Sequence, residues 1–360
     1  MAASILLRQQ SYNVILFEKE SYPFHKVCGE YISMESWNFL LSLGLPLADW
    51  NLPKINTLRL TAPNGSLFST PLPLGGFGVS RYKLDGELAA IAKRIGVHVL
   101  EKTKVEEVER KDNFFVHFRQ QQIEATLCFA AFGKRSNLDV KWSRTFLQHQ
   151  GQRLNNFIGV KYHLKTDWPQ QTIGLHNFEN GYCGISQIED QKVCLCYLTR
   201  ADNLKGNGNS LQQMEENVLS RNPFLRKIFE KSEVEQAFPV TISQISFAAK
   251  TKVEKGILML GDTAGMITPL CGNGMSIALH TAKIAAALAD NFLKGQLSRS
   301  SYEQAYQQQW QQAFASRLRT GRMLQRFFGH NSISNLFVSS FKRFPFLAQP
   351  VIRLTHGEPF

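Results

Sequence analysis

The chain has 360 residues, 43% of them hydrophobic and 19% charged, the composition of an ordinary globular protein long enough for one large domain or two intimately joined ones. Lys and Arg number 41 against 29 Asp and Glu, a net charge of +12 that suits an anionic membrane or an anionic cofactor, while the lack of any reader motif or dense basic run sets nucleic acid aside. The six scattered cysteines (Cys28, Cys128, Cys183, Cys194, Cys196, Cys271) form no C-x-x-C pair, which argues against structural zinc or a disulfide scaffold and for a reducing cytoplasm; no signal-like start or stretch of about 18 apolar residues is present, so a membrane would be met from the side, at its inner face.

Residues Ala2 to Gln10 read as a helix and Asn13 to Phe17 as a short buried strand ending at the acidic Glu18. In a dinucleotide-binding βαβ unit a strand, a glycine-rich turn, a helix and a second strand precede an acid about 20 residues past the glycines. Here the helix, second strand and acid are present and the first strand and glycines are not. A Pro- and Gly-punctuated loop, "SYPFHKVCGEYIS", leads to a helical stretch near Glu35 to Leu43. "INTLRLTAPNGSLFSTPL" predicts two strands about an Asn64-Gly65 turn, and "SRYKLDGELAAIAKRIGVHVL" an amphipathic helix from near Arg81 to about Gly96, followed by a strand. Val105 to Ala131 predicts a β-meander closing at "LCFAAFGKRSNLD". Alternating segments from Phe157 to Thr199 predict an antiparallel sheet with one face covered. A soft "KGNGNS" precedes a helical region from Leu211 to Phe229; an apolar strand at Gly256 to Leu260, a "GDTAG" turn and a long helix from about Met275 to Leu293 then resume the dinucleotide-type pattern.

The stretch from Leu258 to Leu288 carries the strongest chemical signal. An apolar strand ends at Gly261-Asp262, a glycine-rich loop follows, and a helix starts whose unpaired N–H groups and positive dipole end favour an anion or an electron-rich ring. Gly272 and Gly274 would let the backbone approach a ligand closely. Local pattern alone fits equally a glycine-rich turn entering a core helix.

Three stretches taken together, "GDTAGMITPLCGNGMSIAL", "RYKLDGEL" and "CFAAFGKRSNLD", resemble in order and spacing the flavoprotein hydroxylase and geranylgeranyl reductase superfamily, whose best-known member is p-hydroxybenzoate hydroxylase. "HKVCGEYIS" resembles the K-x-C-G-[EG] segment of the geranylgeranyl reductase branch. The resemblance implies an α/β fold: an FAD-binding Rossmann-like domain of glutathione reductase type 2, interrupted by an antiparallel-sheet substrate domain and followed by a C-terminal helical region. The implied division is FAD-binding parts over 1–55, 81–140 and 251–295, substrate-domain segments over 56–80 and 141–250, and helices over 296–360. By the same resemblance Glu18 binds the adenosine ribose, Arg81 lies along the flavin, and Asp262 after Gly261 accepts a hydrogen bond from the ribityl chain. Pro269, Gly272, Asn273, Gly274 and Met275 face the N1 and O2 side of the ring, where N–H groups would stabilise the charge of the reduced flavin. Lys26, beside His25, could neutralise the pyrophosphate, and Cys28 could donate a proton to a substrate carbon or simply be a small buried residue in a tight loop.

The family commonly reads A-D-G where this chain has Ala131-Phe132-Gly133, which weakens the case for NAD(P)H as electron donor, although it remains the expected one. The implied reaction is reduction of an alkene or hydroxylation of a ring in a hydrophobic small molecule; a monooxygenase using NAD(P)H and O₂, and a non-catalytic remnant that has lost FAD, are the alternatives. The W-x-W-x-I-P motif of the related halogenases is absent. The glycine loop is expected just before Met1, so that Met1 reads as an internal methionine of the first helix. Phe327, Phe328, Phe337, Phe341, Phe344 and Phe346, set among Arg322, Arg326, Lys342 and Arg343, fit either a helical cap packing its rings inside, which the default burial of aromatics favours, or a peripheral contact with anionic lipid.

Overall fold

The structure, a computed structural model, describes residues 1–147, 156–235, 237–267, 273–327, 329–355 and 357–360. Helix α1 (Ala2–Gln9) leads into β1 (Ile15–Phe17), and β2 (Tyr31–Ser33) precedes α2 (Trp37–Ser42). The Asn64-Gly65 turn joins β3 (Lys54–Thr61) to β4 (Leu67–Gly78), with Gly65 at a φ of 84° that only glycine adopts freely. Helix α3 (Arg81–Arg94) begins at the Ser80 cap, whose hydroxyl accepts from the Lys83 N–H at 3.0 Å, and ends before β5 (His98–Leu100). The meander is β6 (Glu107–Arg110), β7 (Phe114–Phe118) and β8 (Gln121–Ala125), followed by β9 (Phe129–Ala130) and α4 (Asn137–Lys141). Four long strands come next, β10 (Phe157–Lys165), β11 (Thr172–Phe178), β12 (Gly181–Gln187) and β13 (Val193–Arg200). After them lie α5 (Ala201–Lys205), α6 (Leu211–Asn217), α7 (Pro223–Lys231), β14 (Glu233–Val234), β15 (Val240–Ile245), β16 (Val253–Glu254) and β17 (Ile257–Met259). The chain closes with α8 (Gly274–Leu293), α9 (Arg299–Phe327), α10 (Asn331–Arg343) and α11 (Ala348–Thr355).

The parallel part consists of two separate ladders. Strand β1 pairs with β5, Leu16 opposite Val99, and β17 pairs with β9, Leu258 opposite Phe129, with β16 antiparallel on its other edge. Among the described residues no strand joins the two, and Ile15 of the three-residue β1 is 38% exposed. Ile5 of α1, Ile277 and Leu279 of α8, Leu258 of β17 and Tyr306 and Phe314 of α9 share the core that buries these ladders.

The large sheet has nine strands in the order β14-β10-β13-β12-β11-β3-β4-β2, with β15 also on β10. It corrects the antiparallel expectation at one place: β3 and β11 run parallel, Thr57 opposite Thr172 and Leu60 opposite Leu175. The chain leaves β4 through α3 and the meander before returning, and such a long excursion permits parallel pairing where a short turn would not. Strand β2, from the stretch assigned by sequence to the first FAD-binding segment, also joins this sheet, Ile32 opposite Phe77 of β4.

A buried polar ladder ties the sheet to α7. The Asn222 amide donates to Thr61 Oγ1 and to the Asn177 carbonyl, both at 2.9 Å, and its oxygen caps α7 by accepting from the Phe224 N–H at 2.9 Å. Thr61 Oγ1 in turn shares a hydrogen bond with His176 Nδ1 at 2.8 Å; burial, helped by the Arg59 charge, pushes the His176 pKa down to about 3 and keeps the ring neutral. Asn222→Ala should lower unfolding free energy by about 3 kcal/mol, the sum of a lost cap and orphaned buried carbonyls. Asn222→Asp, which sets carboxylate oxygens against those carbonyls, should recover none of it in a urea titration. Because the folded-state pKa of His176 lies below its ordinary 6.5, the unfolded chain takes the proton first, so stability present above that pH should fall as the pH drops toward 3. His176→Gln should flatten this part of the acid limb, and an unchanged limb would contradict the assignment.

Candidate active site

The first turn of α3 is gripped from two sides by carboxylates. Glu30 accepts from the Arg81 N–H at 2.9 Å, and Glu189 accepts from the Ser80 N–H at 2.7 Å and from its hydroxyl. Negative charge at a helix N-terminus is favourable, and here it also docks the helix onto the large sheet. One turn on, Asp85 holds Arg81 in a two-pronged pair at 2.9 and 2.7 Å and takes Lys26 Nζ at 2.9 Å. Burial alone would raise the Asp85 pKa, but the two cations keep it below the usual carboxylate range. Two cations sharing one carboxylate leave a net positive charge, and each keeps part of its side chain in reach of a ligand, 28% of Lys26 and 20% of Arg81. The start of α1 lies beside them, within the field of Asp85, Lys26 and Glu18. Glu18 is oriented by the Tyr22 hydroxyl at 3.0 Å and the Glu20 N–H at 3.1 Å.

Glu30 is the centre of a second network. It adopts a φ of 54°, sparse for a residue other than glycine, and is held there by its partners. Lys161 Nζ reaches Oε1 at 2.6 Å and His163 Nε2 reaches Oε2 at 2.5 Å, with all three side chains 3% exposed or less. Burial opposes the charge on Glu30, yet His163 and Lys161 hold its pKa below the ordinary value; burial likewise opposes the Lys161 charge, and Glu30 raises it. Cys194 converges on Glu30 and His163 with ligand atoms within 4.8 Å of one another. Its thiol, kept protonated by burial, donates to the Cys28 carbonyl, and Lys161 already neutralises the carboxylate, so the set is a hydrogen-bonded ion network. Cys28 sits at its edge, its Sγ accepting from the Glu30 N–H at 3.4 Å. Burial raises the Cys28 pKa against the pull of Arg81, which leaves a neutral thiol at physiological pH. On another side, a cavity of about 690 Å³, lined among others by His25, Tyr82, Glu235 and Lys192, reaches His163.

The glycine turn approaches from β17. Gly261 has a φ of 55°, and a Cβ there would lie 3.0 Å from the Ala278 Cβ of α8, so the turn and the helix touch only through glycine. Its N–H donates to Thr281 Oγ1 at 3.0 Å. Thr263 Oγ1 accepts from the Gly133 N–H at 3.0 Å and so joins this turn to the Ala131-Phe132-Gly133 turn, where the Phe132 ring packs 6.3 Å from Trp142. Burial raises the Asp262 pKa, opposed by Lys250 and by Arg81, which places Asp262 in the field of the first cluster. Lys250 donates to the Asp262 and Lys134 carbonyls at 2.8 and 2.7 Å, and burial pushes its own pKa down to about 8. Asn273 at the start of α8 offers no side-chain cap; its amide nitrogen bonds the Thr355 carbonyl and its buried Oδ1 has no partner.

Of the residues singled out by sequence, Glu18, Lys26, Cys28, Arg81 and Asp262 therefore share one electrostatic neighbourhood, and Gly261 fastens it to α8, whose first residues include Asn273, Gly274 and Met275. Pro269 and Gly272 lie outside the described residues. Sequence reasoning missed Glu30, Asp85, Lys161, His163 and Lys250. Asp85 was legible as the fourth residue after Arg81, and Lys161 and His163 as charges two apart, hence on one face, of an otherwise apolar strand.

Comparison with known proteins points the same way. The family model described as squalene epoxidase matches residues 180–315. The flavin-dependent brominase Bmp2 superposes with a TM-score of 0.78, 18% identity, and coverage of 98% of this chain and 89% of its own, a shared fold. Digeranylgeranylglycerophospholipid reductase 1 of Methanosphaera stadtmanae is 23% identical over 78% of this chain and 70% of its own length. The chain thus shares the fold of flavin-dependent enzymes and a distant sequence similarity to a geranylgeranyl-lipid reductase. Conditioned medium factor receptor 1 of Dictyostelium discoideum is 24% identical over 86% of this chain, which spans 64% of that protein's length. The residues here fit FAD: partly exposed cations beside the start of α1, a turn that admits only glycine, and a helix start with an orphaned amide oxygen and uncapped donors.

Lys161→Met would leave the Glu30 charge buried with half its partners and should cost about 3–5 kcal/mol, whereas adding Glu30→Gln should return much of that loss. Purely additive losses in chemical denaturation would refute the coupling. Since the folded-state pKa of Glu30 is depressed, its contribution should be present at neutral pH and vanish as the pH falls below the ordinary carboxylate range.

Proposed function

We propose that the protein reduces an alkene in a hydrophobic small molecule, with NAD(P)H as the source of electrons. The observation that carries this reading is the neutral Cys28 thiol beside Arg81 and the Glu30 N–H. Reduction of a C=C bond needs a hydride at one carbon and a proton at the other. Bound FAD, once reduced by NAD(P)H, would supply the hydride. Cys28 supplies the proton, and the thiolate left behind is stabilised by the Arg81 charge and by the Glu30 N–H, both already in place before the reaction. Lys26 and Arg81 would hold the pyrophosphate and flavin, Asp262 the ribityl chain, Glu18 the ribose, and the first N–H groups of α8 the electron-rich edge of the ring. The Methanosphaera relative, named as a reductase of a geranylgeranyl lipid, supports the same substrate class. The likeness to a brominase is a likeness of fold, and the W-x-W-x-I-P motif is absent from this sequence.

Titration with FAD, followed by flavin absorbance and fluorescence, is the first test. Saturable binding that weakens at least about tenfold in Arg81→Ala is expected, given the size of a charge-assisted contact. Anaerobic turnover of a prenyl alkene with dithionite-reduced FAD should then fall about a hundredfold in Cys28→Ala while FAD affinity stays constant. Turnover that requires O₂ and hydroxylates a ring would replace this reading with a monooxygenase. Failure to bind FAD at all would leave a non-catalytic protein on a flavoprotein fold.

A further inference from the structure

Residues 304–357 contain no Asp or Glu but seven Lys and Arg, from Arg317 to Arg353, so that more than half of the net +12 charge sits in this one stretch. Its last two helices lie on the large sheet. Val338 and Phe341 of α10 pack with Leu60, Ala62 and Phe68, and Ile352 of α11 packs with Tyr31, Ile55 and Leu72. The sides turned away from the sheet are apolar as well. Ile333, Leu336, Ser340 and Arg343 recur at one-face spacing along α10, and Leu336 is 70% exposed. The connection to α11 adds Phe344, Phe346, also 70% exposed, and Leu347, with the two rings 6.1 Å apart; α11 adds Leu354. Lys342, Arg343 and Arg353 are exposed among them. Single exposed apolar residues are ordinary, but six large ones on two successive helices and their joint, mixed with cations, make an interaction face.

We propose that this face docks on an anionic lipid surface, its apolar side chains entering the headgroup layer and Lys342, Arg343 and Arg353 meeting lipid phosphates. The charge pattern decides the occupant. A second copy of the chain would set these cations against themselves across a two-fold axis, with no carboxylate in the stretch to answer them. No described helix is long and apolar enough to cross a membrane, so contact would be from the side. The inference is independent of FAD, although a lipid surface would also deliver a hydrophobic substrate.

Co-flotation of the protein with vesicles of equimolar phosphatidylcholine and phosphatidylglycerol at low salt tests it. Binding should be far weaker to pure phosphatidylcholine and at high salt. Lys342→Gln with Arg343→Gln should weaken partitioning about thirtyfold, and Leu336→Ser with Phe346→Ser at least about tenfold. These side chains are exposed, so circular dichroism and thermal midpoint should stay unchanged in both variants. Protein that stays unbound, that binds equally after either pair of substitutions, or that instead self-associates without vesicles through Leu336 and Phe346 would overturn the proposal.

Discussion

One buried carboxylate joins the two halves of this molecule. Glu30 comes from the loop before β2, its oxygens take the first N–H of α3, and its partners Lys161 and His163 stand on β10 of the large sheet. Desolvating three such groups is costly, and an ion pair of this kind is poor evidence for stability by itself. Its geometric consequence is stronger. Removing any partner leaves a charge uncompensated in a dry interior, so the loop, the helix and the sheet must keep one relative placement. Cys28, Lys26 and Arg81, all within a few residues of these contacts, inherit that placement.

The neighbouring cluster works by surplus rather than by balance. Arg81 and Lys26 both pair with Asp85, and each keeps part of its side chain exposed to a ligand. At the opposite extreme, the start of α8 is uncapped and holds a buried amide oxygen without a partner. Both are departures from the rule that buried polar groups are satisfied within the fold, and such departures concentrate where a ligand completes the account. An anionic dinucleotide suits the cations at the first end, and at the second a ring that offers an N–H to the amide oxygen would complete it. Burial meanwhile keeps the Cys28 thiol neutral, and pairing with His163 and Lys161 keeps Glu30 charged.

The C-terminal helices show the same principle at the surface. Of the aromatic residues clustered there, Phe341 and the half-buried Phe337 pack against the sheet, as the default burial of aromatics requires, while Phe344 and Phe346 remain outside. A helix that covers a sheet needs only one apolar face, and α10 has apolar residues on two. Composition alone could not separate these roles, because the inward rings on α10 and the outward rings in the connection after it are the same residue type and differ only in where the fold puts them.

Much of the architecture could be read from the chain itself. Periodicity placed α1, α3 and α8 to within a residue or two, the Asn64-Gly65 pair announced its hairpin through the left-handed turn it favours, and the four-residue step from Arg81 to Asp85 is a helix-surface contact by geometry alone. These are local properties, decided by backbone sterics and by neighbours a turn apart. The pairing of β3 with β11, the return of β2 to the large sheet, the Asn222–Thr61–His176 ladder and the Glu30–Lys161–His163 network join residues between 43 and 161 positions apart. No local pattern encodes which distant partner a buried charge or a strand edge will meet. That choice was made only when the whole core closed, because a lone charge or an open edge is tolerable in water and costly inside.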